Sequence, residues 1–84
     1  MQEQEVGTVD HYFSHLNVAA IKLKDELSVG DTIHIKGHTT DIILPVESMQ
    51  IERKSVEKAG PGEDVGIRVL DHVREHDVVY KVTG

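Results

Sequence analysis

The sequence predicts an all-β fold: one small, closed antiparallel barrel of six to seven short strands. Three observations carry that prediction. Residues 32–36 (Thr-Ile-His-Ile-Lys) alternate, with Ile33 and Ile35 on one face and Thr32, His34 and Lys36 on the other, which is the period of a half-buried strand. Glycine-bearing turn signals recur along the chain at Gly30, Gly37 and Gly60-Pro61-Gly62. Tyr12, Phe13 and Tyr80 are the sole aromatic residues, so the core is built from Val, Ile and Leu, and β-branched side chains favour pleated sheet. Closure would also remove the sheet edges that so short a chain could not otherwise protect.

Taken in order, residues 1–4 are expected to be a disordered tail and residues 5–84 a single domain. Glu5 to His15 reads as a strand in which Gly7 marks a bulge or a close backbone approach. Leu16-Asn17 turns the chain, because Asn tolerates left-handed geometry, and Val18 to Leu23 returns it. Gly30 reverses the chain ahead of the Thr32–Lys36 strand. Ile42-Ile43-Leu44 begins another strand that Pro45 limits, and Val46 to Glu52 resumes it after a bulge near Glu47-Ser48. Val65, Ile67 and Val69 share the inner face of the next strand. Asp71 to Asp77 forms a charged link with one helical turn, and Val78 to Val82 completes the sheet.

Composition excludes several classes. Eighty-four residues bury a modest core. The absence of cysteine removes disulfides and thiolate metal sites and fits a reducing, cytoplasmic setting. No apolar run is long enough to cross a membrane as a helix, and the start is acidic rather than basic. The net charge of −6 argues against unspecific nucleic-acid binding.

The segments Val6-Gly7-Thr8-Val9, Leu27-Ser28-Val29-Gly30-Asp31, Val46-Glu47-Ser48-Met49-Gln50 and Ala59-Gly60-Pro61-Gly62-Glu63-Asp64-Val65-Gly66-Ile67 follow one another in an order that resembles domain 2 of the translational GTPases. That family includes elongation factor Tu and the initiation factor that delivers initiator tRNA. The resemblance spans residues 6–82 and implies a Greek-key-like barrel, here standing without its GTPase domain. No GxxxxGK loop is present, so the chain is not expected to hydrolyse GTP on its own. The resemblance implies a non-enzymatic module that engages tRNA, ribosomal RNA or a translation-related protein partner. It places Gln50, Arg53 and Asp64 at positions lining the family's pocket for the terminal adenosine of tRNA, and Arg53 alone keeps the family's residue type. Arg53, Lys54 and Lys58 are the densest cationic cluster, with Arg68 as a further member. The candidate binding set is therefore Gln50, Arg53, Lys54, Asp64 and Arg68. An alternative is a protein-assembly barrel serving a separate enzyme or GTPase chain; similar barrels occur as appendages of collagenase-like peptidases.

Other chemistry finds little support. His72 and His76 stand four apart, with Asp71, Glu75 and Asp77 nearby, but the segment reads more simply as solvated surface, and neither metal nor cofactor is assigned. His34 and His38, like His11 and His15, are expected to be exposed. Ser14, Ser28, Ser48 and Ser55 lie in no Gly-x-Ser-x-Gly elbow. Glu63 and Asp64 are neighbours that a strand would point to opposite sides.

Overall fold

A computed structural model describes residues 2–83. They form ten strands and no helix: β1 Gln2–Phe13, β2 Val18–Leu23, β3 Leu27–Ser28, β4 Thr32–Lys36, β5 Asp41–Pro45, β6 Met49–Ile51, β7 Lys54–Val56, β8 Lys58–Ala59, β9 Asp64–Arg68 and β10 Val78–Thr83. Eight of them make one antiparallel sheet in the order β5-β4-β10-β1-β2-β9-β6-β7, while β3 and β8 pair separately. Ile21, Leu23, Leu27, Ile33, Ile35 and Ile67 fill a single core enclosed by the curled sheet.

The alternation read in the sequence is realised in β4, where Ile33 and Ile35 are buried, and in β9, where Val65 and Ile67 are. Asn17 turns the chain at φ 56° and Gly30 at φ 99°. Gly7 makes the expected close approach: a Cβ there would lie 2.5 Å from the Lys22 carbonyl oxygen. β1 is kinked twice, between Glu5 and Gly7 against β10 and between Val9 and His11 against β2. The first of these bulges brings Val6 and Val9 both into the core although they differ in strand phase.

Several expectations require correction. β1 begins at Gln2, so the expected tail over residues 1–4 is paired across its described part, Gln2 opposite Thr83 and Gln4 opposite Lys81; Met1 lies outside the described residues. The ladders do not close a barrel, since among the described residues none joins β5 to β7. Pro45, which has no N–H to donate, is the last residue of β5, opposite Thr32. Beyond it the chain leaves the ladder and Val46 bonds to the Gly30 turn instead, donating to the Asp31 carbonyl at 2.8 Å and accepting from Gly30 N–H at 2.9 Å. Residues 46–48 therefore separate β5 from β6 rather than forming a bulge within one strand. The Asp71–Asp77 link contains no helical turn; Val73 is fully buried in it and anchors it to the core.

Candidate functional site

β2, β9 and β6 are consecutive in the sheet and turn one face outward. Antiparallel register sets Ala20 and Gln50 on either side of Gly66, and Val18 opposite Arg68. Because side chains alternate, the inward placement of Val65 and Ile67 sends Asp64, Gly66 and Arg68 outward together. Two hollows meet at Arg68 and Ser48. One, of about 310 Å³, is lined by Leu16, Val18, Ser48, Gln50, Gly66 and Arg68. The other, of about 320 Å³, is lined by Leu44, Pro45, Glu47, Ser48, Arg68 and Leu70. Leu16 is 52% exposed and Leu70 81% exposed, so apolar walls stand on both sides of the guanidinium. Arg68 makes no ion pair among the described residues.

Of the five residues singled out in the sequence, the fold brings Gln50 and Arg68 into this groove. Asp64 shares their face but lies four residues from Arg68, roughly 13 Å along the strand, and sits 3.9 Å from Lys22 Nζ. Arg53 and Lys54 occupy the β6–β7 hairpin. Its two central residues, Glu52 and Arg53, have φ of 50° and 68°, the paired positive values of a type I′ turn. They line neither hollow. Leu16, Val18, Gly66 and Leu70 were not singled out by sequence reasoning. Gly66 carried the one available signal, a glycine inside a strand.

A second polar constellation lies toward the other end of the sheet order. His34 on β4 is 8% exposed, not a surface histidine. Its Nδ1 donates to Glu3 Oε2 on β1 at 2.6 Å and its Nε2 to Asp41 Oδ1 on β5 at 2.5 Å. Both ring nitrogens face carboxylate oxygens, and only the doubly protonated imidazolium donates to both. The hydrogen bond to Asp41 raises the His34 pKa above its ordinary 6.5; burial opposes that rise and Glu3 adds to it. The same hydrogen bond lowers the Asp41 pKa below 3.8. The carboxylates sit at opposite edges of the ring and cannot converge on one ion. Among the described residues no group of three His, Asp or Glu side chains could hold a metal. His72 packs against Tyr12 with ring centroids 4.5 Å apart, and His76 sits at a turn with φ 75°. Ser48 lies in the groove with no histidine lining it, so no serine–histidine pair forms there.

No family model matches the chain. The sequence is 46% identical over 77 residues to an uncharacterized protease of Methanocaldococcus jannaschii, covering 90% of this chain and 19% of that protein. It is 40% identical over 82 residues to a collagenase of Porphyromonas gingivalis, covering 95% of this chain and 23% of that protein. The similarity is to peptidase-named proteins, not to translation factors. The chain spans about a fifth of the length of these relatives. The crystal structure of the C-terminal domain of a Geobacillus thermoleovorans protein described as a U32 peptidase superposes with a TM-score of 0.89, at 17% identity, covering 95% of this chain and 93% of that one. Its selenomethionine variant superposes at 0.86.

These findings overturn the resemblance to translation-factor domain 2 and, with it, the reading of an RNA- or ribosome-binding module. They equally run against the expectation of a non-enzymatic module, because the relatives that match nearly the whole length of this chain are named a protease and collagenases. The adenosine-pocket assignment of Gln50, Arg53 and Asp64 falls with the resemblance that supplied it. No helix among the described residues is long and apolar enough to cross a membrane.

Proposed function

We propose that this chain is the β-domain of a peptidase-related protein of the U32 kind, and that it engages polypeptide through the outward face of β2, β9 and β6. The observation that carries this reading is the match of 90–95% of the chain to proteins named protease and collagenase that are several times longer. The fold likeness to a C-terminal domain supports it. On this reading residues 5–84, together with the paired Gln2–Gln4 segment, act as one unit in the cytoplasm. The curled sheet acts as a barrel without a ladder between β5 and β7, a reading that the burial of Leu44, Val46 and Met49 near those strands supports. Of the sequence-derived candidates, Gln50 and Arg68 belong to the binding face.

Biolayer interferometry against immobilised gelatin and casein, with bulk RNA beside them, tests the proposal. Saturable polypeptide binding that persists at 0.5 M salt is expected, since counterion-driven contacts with nucleic acid weaken steeply with salt. Binding to RNA with none to either polypeptide would refute it.

A further inference from the structure

Gly66 sits in the middle of β9, where glycine weakens a strand relative to alanine. Gly7, also within a strand, and Gly37, just after one, have internal reasons. A Cβ on Gly7 would strike the Lys22 carbonyl, and one on Gly37 would strike the Asp77 carboxylate at 1.8 Å. Gly66 has no such constraint. A Cβ there would meet Val18 Cγ1 at 3.4 Å and the Gln50 carbonyl oxygen at 4.0 Å, ordinary contacts. Its φ lies outside the left-handed region. A glycine that neither the backbone nor the packing demands bares the floor of the groove, which is what close approach of a second backbone needs.

Charge and shape restrict what approaches. Arg68 projects into the groove without an ion pair among the described residues, in a chain of net charge −6. A guanidinium between apolar walls suits a carboxylate in bidentate geometry. Glu47 lines the same hollow as Arg68 and disfavours a cluster of anions there, so the site suits at most one negative charge, held at the guanidinium. The two hollows, about 320 and 310 Å³, lie to either side of Arg68. Each accommodates one apolar side chain, and a C-terminal carboxylate would fill the hollow on one side alone. In an extended peptide, residues two apart point the same way.

We propose that the groove over Gly66 binds an extended peptide segment in which one acidic side chain pairs with Arg68 while apolar side chains two residues to either side fill the hollows. This inference rests on the polypeptide-binding reading above and adds the chemistry of the segment. It assigns Arg68 the anion, Gly66 the peptide backbone, and Leu16 with Val18 and Leu44 with Leu70 the flanking side chains.

Fluorescence anisotropy of a capped, fluorescein-labelled Leu-Ala-Glu-Ala-Leu peptide titrated with the 84-residue protein tests it. Saturable binding is expected, weakened about tenfold or more when the peptide's Glu is replaced by Gln, and equally by Arg68→Gln in the protein. Gly66→Val, which fills the floor with a β-favouring side chain, is expected to abolish binding without lowering the melting temperature. Leu16→Glu, an exposed change that places a like charge at the groove, provides a second blocking variant should Gly66→Val melt early. The proposal is overturned by equal affinity for the Glu and Gln peptides, by indifference to Arg68→Gln, by tighter binding of a peptide whose sole anion is its free C-terminus, or by no saturable binding at 1 mM protein. Casein binding retained in Arg68→Gln would leave the polypeptide-binding reading standing while sinking this one; loss of both in the wild type would sink both.

Discussion

Gly37→Ala is predicted to be among the most damaging single-methyl additions this protein can suffer. Gly37 directly follows β4, and its Cα faces the carboxylate of Asp77, which is 4% exposed. An added Cβ would stand 1.8 Å from Asp77 Oδ1 and 2.5 Å from its Cγ. Carbon contacts essentially never fall below 3.0 Å, so the carboxylate would have to withdraw by at least 1.2 Å. It is not free to do so. Asp77 Oδ2 accepts the Arg74 backbone N–H at 2.9 Å. The Asp77 backbone is held as well, its carbonyl accepting from Val9 N–H at 2.8 Å and its N–H donating to the Arg74 carbonyl at 3.1 Å. Losing a charge-assisted hydrogen bond costs about 1.5–3 kcal/mol and forcing a close contact about 1–3 kcal/mol. The reduced entropy of the unfolded chain with alanine offsets about 0.4–1 kcal/mol of this. The net expectation is a loss of about 2–4 kcal/mol, which for a domain of this size lowers the melting temperature by roughly 10 °C or more. Circular dichroism melts of Gly37→Ala, Asp77→Ala and the double variant measure it. If the clash is the cause, Gly37→Ala costs less than about 0.5 kcal/mol in the Asp77→Ala background, and the pair shows a coupling above about 1.5 kcal/mol. A Gly37→Ala protein as stable as wild type, or one equally destabilised in both backgrounds, would refute the reasoning.

Two further outcomes follow from the same structure. Because the folded pKa of His34 is raised, its contribution is complete below pH 6.5 and is lost as the pH climbs through the raised value, while that of Asp41 is present above 3.8 and is lost as the pH falls through its lowered value. Thermal melts from pH 4 to 9 should therefore show stability declining on the alkaline side, and His34→Gln should flatten that limb; an unchanged limb in the variant would contradict the assignment. Arg53 at φ 68° holds a left-handed conformation that costs a non-glycine residue about 1 kcal/mol, so Arg53→Gly is expected to raise stability by roughly that amount in urea titrations, with destabilisation the opposing result.

What was legible in the sequence was local. The alternation of Ile33 and Ile35, the left-handed Asn17 and the turn at Gly30 are each determined by residues within a few positions, and each stands in the structure as read. What was not legible depends on partners distant in sequence. The period places His34 outward with Lys36, and it is outward; its burial comes from Glu3 and Asp41, one 31 and the other 7 residues away. The bulge of β1 between Glu5 and Gly7 hides Val6 and Val9 behind a broken period. The β6–β7 hairpin turns on Glu52-Arg53, without the Asn or Gly that usually announces such a turn. The groove was half visible: the inward face of β9 fixes Gly66 and Arg68 outward, but Leu16 and Leu70 reach it from loops. The misreading of function has a physical source too. Val-Gly-Asp turns and Gly-Pro-Gly breaks are what an antiparallel β-domain needs to reverse its chain, so their order reports architecture, and architecture does not fix what a surface binds.

The placement of the two polar constellations bears on how such a domain could vary. His34, Glu3 and Asp41 tie together β4, β1 and β5, on one side of the sheet order, and every polar ring atom is matched by a carboxylate. Arg68 and Gln50 stand on β9 and β6, toward the other end of that order, with the guanidinium unmatched among the described residues. The buried His34 ring, bonded on both sides, contributes to holding the strands in place, and removing either carboxylate leaves a ring nitrogen of that buried side chain without its partner. An exposed, unmatched arginine costs little to keep in water and becomes valuable only when a ligand brings the missing carboxylate. Substitutions at Arg68, Leu16 and Leu70 thus fall where stability is insensitive, whereas those at His34 or Gly37 fall where it is not. Binding preference in this fold can change at the β2–β9–β6 face while the histidine side continues to hold the sheet together.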